Sequence, residues 1–269
     1  MRKSAVSKEY VNLQKDILRL QEQWKKGLDT SCIRLQGKTA GVAESVPAAA
    51  LAEIDFDISL FLQWIKDVGE LLGAKSAELG IKVERLVTGL DEKGTRRWID
   101  EACALNNLYF DSFAQEHGVE AWIPQFLAET ALRPYLQLLA EVVENDDGIV
   151  KDASAGAGCP VCGEPVRLAR LEGEGKKLLC CPRCLAEWNE KRVYCAHCGN
   201  DDHETISFLT VEGDETAQIQ ACEKCKGYTK VIDTRQFISK PSSAMLDLTT
   251  IHLDYIAQEN GYVAAGATR

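Results

Sequence analysis

Cys159-Pro160-Val161-Cys162-Gly163 is the stretch that decides the fold, because it opens a series of four C-x-x-C pairs. The other three pairs begin at Cys181, Cys195 and Cys222. Both sulfurs of a C-x-x-C turn point to one side, so each pair supplies two corners of a tetrahedral metal site. Four such pairs within one segment predict metal binding, against the alternative of free or redox thiols.

Two hairpins are predicted between these pairs, over residues 165–180 and 205–221, each with a glycine-containing turn. Each hairpin lies between two C-x-x-C pairs, which makes an approximate internal duplication. Successive pairing then predicts two four-cysteine sites: Cys159, Cys162, Cys181 and Cys184, and Cys195, Cys198, Cys222 and Cys225. An interleaved pairing, which joins the first pair with the third and the second with the fourth, stays open.

All-thiolate tetrahedral coordination suits zinc and mononuclear iron alike, so the spacing does not choose the metal. A closed site of four cysteines leaves no open coordination position, and we therefore expect no Lewis-acid catalysis at the metal. Cys180 is expected to be an apolar filler beside the first site, with a reactive thiol as the alternative. His197 is expected on the surface or beside the ligands. Cys32 and Cys103 are expected to be buried small side chains.

An α+β fold follows from the change of hydrophobic period along the chain. Residues 1–145 show three- and four-residue apolar spacing and predict an all-α domain, with Pro134 as a kink or break in its last helix. Small residues over 146–158 predict a flexible linker. The first four-cysteine module then covers 159–192, and the second covers 193–269 with a closing helix at 244–259.

The net charge of −10 argues against a general nucleic-acid binder. No apolar run reaches the length of a membrane span, and the basic N-terminus has no apolar core behind it, so we expect a cytoplasmic protein with reduced thiols. A zinc-ribbon nucleic-acid binder remains an alternative, since basic residues lie near the cysteine pairs: Lys176, Lys177, Arg183, Lys191, Arg192, Lys224, Lys226 and Lys230.

Further residues around the pairs resemble the formate dehydrogenase accessory protein family, FdhE. They are Glu187-Trp188, Arg192-Val193 before Cys195, Gly227-Tyr228 with Lys230, Leu246-Asp247-Leu248, Leu253-Asp254 and Glu259-Asn260-Gly261-Tyr262. Cys180 is a departure from that family's pattern.

The resemblance implies two tandem rubredoxin-like modules that follow a helical domain, with iron as the expected metal in each site. It implies a cytoplasmic maturation protein, not an enzyme, which engages the molybdenum- or tungsten-dependent catalytic subunit of a formate dehydrogenase. Trp188 is the candidate for partner contact, with packing between the modules as its alternative. A rubredoxin-like electron-transfer protein and a general protein-interaction module are the remaining alternatives.

Overall fold

The computed structural model describes residues 6–35, 46–145, 158–211 and 213–264. Contacts divide the chain into two compact units. The helical unit comprises Asp16–Arg34 and Ile54–Leu136, and the sheet unit comprises Met1–Lys15, Leu35–Glu53 and Gln137–Arg269. The linker predicted over 146–158 lies outside the described residues except for Gly158. The division into a domain over 1–145 and modules over 159–192 and 193–269 stays a prediction.

Helices and strands are largely separated along the chain, with most helices before most strands. This order is typical of an α+β fold. The helices are α1 Lys8–Lys26, α2 Ala48–Leu51, α3 Ile58–Gly73, α4 Ala77–Thr88, α5 Glu92–Cys103, α6 Asn107–His117, α7 Trp122–Asn145, α8 Ser243–Thr249 and α9 Ile251–Glu259. The strands are β1 Ile33–Leu35, β2 Ala52–Ile54, β3 Leu168–Glu172, β4 Lys176–Cys180, β5 Glu187–Glu190, β6 Ile206–Val211, β7 Asp214–Cys222 and β8 Tyr228–Asp233. The predicted α+β class is confirmed.

Aromatic side chains form much of the core of the helical unit. Trp24 of α1 stacks on Trp64 of α3 with ring centroids 5.1 Å apart, and Tyr135 of α7 packs on Trp64 at 5.5 Å. A second cluster places Trp98 of α5 edge-on against Phe110 of α6. Such rings bury large apolar areas, so they stabilise the helix packing. Four of these helices begin at side-chain caps, which are Asp57, Ser76, Asp91 and Asn106.

Pro134 does not break helix α7, which continues to Asn145. Proline has no N–H, so the carbonyl of Thr130, four residues earlier, loses its helical donor. The buried side chain of Gln21 supplies the replacement, since its Nε2 donates to Thr130 O at 3.0 Å. The helix therefore tolerates the proline because a long-range contact satisfies the freed carbonyl.

One six-stranded sheet, in the order β5-β4-β3-β8-β7-β6, carries both predicted hairpins. β3 pairs antiparallel with β4 and β6 with β7, which confirms the hairpins, and β5 and β8 extend them into two three-stranded meanders. The meanders join where β3 pairs parallel with β8, with Leu168 opposite Lys230. The duplication in the sequence thus gives two similar meanders that share one sheet.

Helices α8 and α9 cover one face of this sheet. Leu246, Leu253 and Ala257 pack with strand residues such as Leu168 and Ile219 in one buried cluster. The single closing helix predicted over 244–259 is instead two helices that meet at Thr250. The Oγ1 of Thr250 donates to Leu246 O at 2.6 Å, a local side-chain hydrogen bond that competes with helix continuation.

A buried ion network fixes the two helices to the sheet. Lys230 of β8, whose side chain is 0% exposed, lies 2.8 Å from a carboxylate oxygen of Asp247 and 2.7 Å from one of Asp254. Arg167 also contacts Asp247, at 3.0 Å, and the hydroxyl of Tyr228 donates to Asp254 at 2.8 Å. Burial favours the neutral acid, but Arg167 and Lys230 outweigh it and lower the pKa of Asp247.

Candidate metal centres

All four C-x-x-C turns have the same backbone geometry. The N–H of the residue after the second cysteine donates to the carbonyl of the first cysteine, at 2.8 to 3.0 Å, in each turn. The N–H of the first cysteine donates to the carbonyl five residues later, at 2.7 to 3.0 Å. These two bonds fold each turn into the knuckle that directs both sulfurs to one side.

The residue after the second cysteine has a left-handed conformation in every knuckle. Gly163 has φ +75° and Gly199 has φ +72°, a region that glycine adopts without strain. The other two knuckles place Leu185 at φ +64° and Lys226 at φ +59°. A side chain in this region is strained by roughly 1–2 kcal/mol, so the knuckle geometry is imposed by its surroundings.

The knuckles bring the eight cysteines into two groups of four, within each of which the sulfurs lie within 4.8 Å of one another. The first group is Cys159, Cys162, Cys181 and Cys184, and the second is Cys195, Cys198, Cys222 and Cys225. This is the successive pairing, not the interleaved one. Each hairpin connects the two knuckles of its own group, which explains the pairing.

The sulfur separations fit a tetrahedral metal site. Four sulfurs at about 2.3 Å from a central ion lie about 3.8 Å from one another, whereas a disulfide bond measures about 2.0 Å. The observed Sγ–Sγ distances are 3.5 and 3.6 Å in the first group and 3.6 and 3.8 Å in the second. Each group could therefore hold one metal ion; the donor set suits zinc and iron alike.

The first group is fully enclosed. Burial raises the pKa of Cys159 and Cys184, whereas hydrogen bonds within the group lower the pKa of Cys162. The guanidinium of Arg183, only 2% exposed, approaches the carbonyl of Cys162 at 3.4 Å. A cation at this position offsets part of the negative charge that four thiolates would bring.

The second group is partly open, and N–H donors contact the sulfurs of Cys222 and Cys225. Asn200 Nδ2 lies 3.5 Å from Cys222 Sγ, and the N–H of Gly227 donates to Cys225 Sγ at 3.4 Å. Burial disfavours a charged Cys222, but backbone N–H groups and Asn200 outweigh it and lower its pKa to about 7. Such hydrogen bonds stabilise thiolates and tune a bound metal.

His197 packs inside the second group's knuckles. Its ring is half-buried, and burial lowers its pKa although a hydrogen bond with the backbone of Tyr228 opposes the shift. A Cβ on Gly227 would lie 2.7 Å from His197 Nδ1, which explains why glycine follows Cys225 by two residues. The sequence had left His197 between a surface residue and a neighbour of the ligands, and it is the neighbour.

The remaining cysteines lie outside both groups. Cys180 is 0% exposed and packs in the core beneath the helices, where burial raises the pKa of its thiol. Cys32 and Cys103 are half-buried and not fully buried as predicted. Cys180 therefore has the surroundings expected for an apolar filler.

Trp188 lies in β5, opposite Leu179 of β4, and is only 4% exposed. It offers little surface in this conformation, and its contact with a partner stays a prediction. Of the basic residues near the cysteine pairs, Lys177, Arg183 and Lys230 are buried. Two others, Lys224 and Lys226, pair with acidic neighbours.

Lys177 joins the two meanders through a buried polar contact. Its Nζ donates to Gln220 Oε1 at 2.5 Å and approaches Tyr194 O at 3.3 Å. Gln220 Nε2 donates to the same carbonyl at 3.0 Å, directly before Cys195. Burial lowers the pKa of Lys177 to about 8. Sequence alone indicated none of these contacts, because the three residues are far apart along the chain.

Among residues 6–35, 46–145, 158–211 and 213–264, no helix has the length and apolar composition that a membrane crossing needs.

The family model, the curated relatives and the solved structure that match this chain all carry the name FdhE. Residues 193–268 match the family "FdhE, C-terminal domain", a range that contains the entire second cysteine group. The "Protein FdhE homolog" of Aquifex aeolicus is 28% identical over 153 residues, which are 55% of this chain and 52% of that protein. The homolog of Shewanella baltica is 34% identical over 109 residues, 39% of this chain and 36% of that protein. The chain thus spans about half, or less, of the length of these relatives.

A solved structure shares the fold. The FdhE protein from Pseudomonas aeruginosa superposes with a TM-score of 0.64 at 21% identity and covers 96% of this chain and 87% of its own. The chain therefore has the fold of that protein. Its resemblance to the FdhE family is confirmed, with residues 193–268 matching the C-terminal domain of that family.

Proposed function

We propose that this protein is a maturation factor for a formate dehydrogenase and that it binds the catalytic subunit of that enzyme. The observation that carries the proposal is the match of residues 193–268 to the FdhE C-terminal domain. That segment contains four cysteines whose sulfurs are arranged for one metal ion. The partner would be a molybdenum- or tungsten-dependent catalytic subunit, engaged in the cytoplasm, where thiols stay reduced.

The eight grouped cysteines would hold two metal ions. A bound ion crosslinks two knuckles, and iron would in addition allow transfer of single electrons. The two knuckles of each group precede the first strand and follow the second strand of one antiparallel hairpin, so a bound ion would hold together the open end of that hairpin, opposite its turn. Small β modules of this kind gain much of their stability from such a crosslink.

The role is proposed to be non-enzymatic. Four thiolates complete a tetrahedron and leave no position for a substrate on the metal. The protein would then act by presenting a rigid surface of the sheet unit to its partner. Nucleic-acid binding is less well supported, since Lys177, Arg183 and Lys230 are buried and cannot contribute to a basic face.

Co-purification tests the proposal. The protein is expressed with an affinity tag beside a formate dehydrogenase catalytic subunit, and the eluate is assayed for that subunit. We expect the subunit to co-purify with the parent chain and with Cys103→Ser, a control outside both groups. Cys222→Ser, which removes a donor from the second group, should lose it.

Formate dehydrogenase activity in cells gives the second readout. Cells that lack this protein should lose most of their formate dehydrogenase activity, and expression of the parent chain should restore it. Full activity in its absence, together with no co-purification, would overturn the proposal.

A further inference from the structure

We propose that the two four-cysteine groups are unequal, and that the second exchanges its metal and its ligands with the surroundings through Cys198. The first group would be a closed site that only crosslinks the fold. This inference rests on the metal binding proposed above. It adds a reactive coordination position, which external thiolates or nitrogen chelators could occupy.

The first group has no opening to solvent. Its four cysteines are between 1% and 3% exposed. The first turn of α2 covers the first knuckle, since the N–H groups of Ala48 and Ala49 donate to Pro160 O and Val161 O, both at 2.8 Å. Ala48 itself is 0% exposed. A ligand can reach these sulfurs only after part of the structure opens.

The second group is open on one side. Cys195 and Cys222 are 5% and 2% exposed, but Cys225 is half-buried and Cys198 is exposed. The open side is therefore formed by the second cysteine of each knuckle. Within the described residues, the backbone of the Cys195–Cys198 knuckle makes no hydrogen bond to another segment comparable with that of Ala48 and Ala49, whereas the Cys222–Cys225 knuckle is flanked by Val263, whose N–H donates to Lys226 O at 2.8 Å.

Hydrogen bonding also distinguishes Cys198 from its neighbours. The N–H groups of His197 and Cys198 point to the sulfur of Cys195, Asn200 donates to Cys222, and Gly227 donates to Cys225. Within the part of the chain that the structure describes, the sulfur of Cys198 contacts only other cysteine sulfurs of its group. A thiolate without N–H donors keeps more of its negative charge available, so it is the better nucleophile and the more easily displaced ligand.

The exchange step follows from these two properties. An incoming thiolate or chelator would donate a lone pair to a metal ion held by the second group, from its open side. The bond between that ion and Cys198 Sγ would break, and Cys198 would leave as a thiolate with its own electron pair. Cys198 then takes a proton from water, and no oxidant or reductant takes part. Cys195, Cys222 and Cys225 would keep the remaining three positions during the exchange.

Metal release measures the difference between the groups. The full chain is loaded with two zinc ions without oxygen and mixed with an excess of a chromophoric nitrogen chelator. We expect one equivalent per chain to leave about tenfold faster, or more, because exchange at the buried group requires local opening. A single rate constant for both equivalents, or a second group that holds no zinc, would overturn the inference.

Alkylation identifies the group that reacts. Iodoacetamide forms a sulfur–carbon bond with a thiolate as iodide leaves, and quenched samples are mapped by peptide mass. Cys198 should be modified first in the parent chain, with Cys159, Cys162, Cys181 and Cys184 last. Modification of the first group before Cys198 would overturn the inference. Because this experiment uses the parent chain, its result does not depend on whether a variant folds.

Two variants complete the test. Cys198→Ser should accelerate or abolish the fast phase and leave the slow equivalent unchanged, whereas Cys103→Ser should change neither phase. If Cys198→Ser also lost the slowly released zinc equivalent, the claim that the two groups bind metal independently would be contradicted. These readouts do not involve formate dehydrogenase, so their failure is separable from a failure to bind the catalytic subunit.

Discussion

Replacement of Lys230 by methionine tests whether the residues that carry the family resemblance hold the fold together. The side chain is 0% exposed and contacts Asp247 and Asp254 at 2.8 and 2.7 Å. Methionine keeps the length of the side chain and removes its charge, so two buried carboxylates lose a cation. Breaking a buried ion pair on one side costs about 3–5 kcal/mol.

The expected loss lies near the lower end of that range. Asp247 keeps Arg167 at 3.0 Å, and Asp254 keeps the hydroxyl of Tyr228 at 2.8 Å. We therefore expect Lys230→Met to lower the free energy of unfolding by about 3 kcal/mol, or about a hundredfold in the folding equilibrium. Urea denaturation of the metal-loaded protein measures this difference.

Lys240→Met is the matched control. Lys240 also pairs with a carboxylate, that of Glu172 at 2.6 Å, but its side chain is 55% exposed. Removal of an exposed pair should cost less than about 1 kcal/mol. The double variant Lys230→Met/Asp254→Asn should regain part of the loss, since it removes a carboxylate left unpaired. Equal costs for Lys230→Met and Lys240→Met would refute the reasoning.

Three further predictions concern the knuckles and the contact between the meanders. Gly227→Ala should weaken metal binding at the second group by about tenfold, because its Cβ would lie 2.7 Å from His197 Nδ1; competition with a chelator measures it, and unchanged affinity would contradict it. Gly163→Ala should cost about 1 kcal/mol in thermal unfolding, since φ is +75°, and an unchanged transition would show that the strain is absent. Lys177 has its pKa lowered to about 8 when folded, so the unfolded chain binds more protons between pH 8 and 10.5 and stability rises with pH there. Lys177→Met should remove up to about 3 kcal/mol of the rise in stability between pH 8 and 10.5. If the stability of the parent chain and of Lys177→Met depended on pH in the same way, the lowered pKa of Lys177 would be contradicted.

The features predicted from sequence are those set by local spacing. Each C-x-x-C knuckle closes within six residues, and each hairpin closes across a short turn, so neighbouring residues determine both. The successive grouping of the cysteines follows from these local elements.

The features that were missed depend on residues far apart in the chain. Strand β5 has the sequence Glu-Trp-Asn-Glu, which has no apolar alternation, and it forms because β4 offers it an edge. Helix α7 passes Pro134 because Gln21 satisfies the freed carbonyl. The exposure of Cys198 could not be predicted, since the same C-x-x-C pairs produced one closed group and one open group.

The residues of the family resemblance have a physical explanation that the sequence did not reveal. Tyr228, Lys230, Asp247 and Asp254 are distant in sequence but meet in the ion network between sheet and helices. Gly227 is required by the approach of His197. These positions therefore shape the sheet unit, and partner binding has to be sought at exposed residues.

Metal content is the most direct test of the central claim, that the eight cysteines form two metal centres. The protein is purified without oxygen and analysed for iron and zinc beside the count of free thiols. We predict two metal ions per chain, and denaturation with a chelator should release both and raise the reactive thiols to eleven, which are the eight grouped cysteines together with Cys32, Cys103 and Cys180. Fewer than two ions per chain after loading, or sulfurs joined in disulfides, would contradict the account.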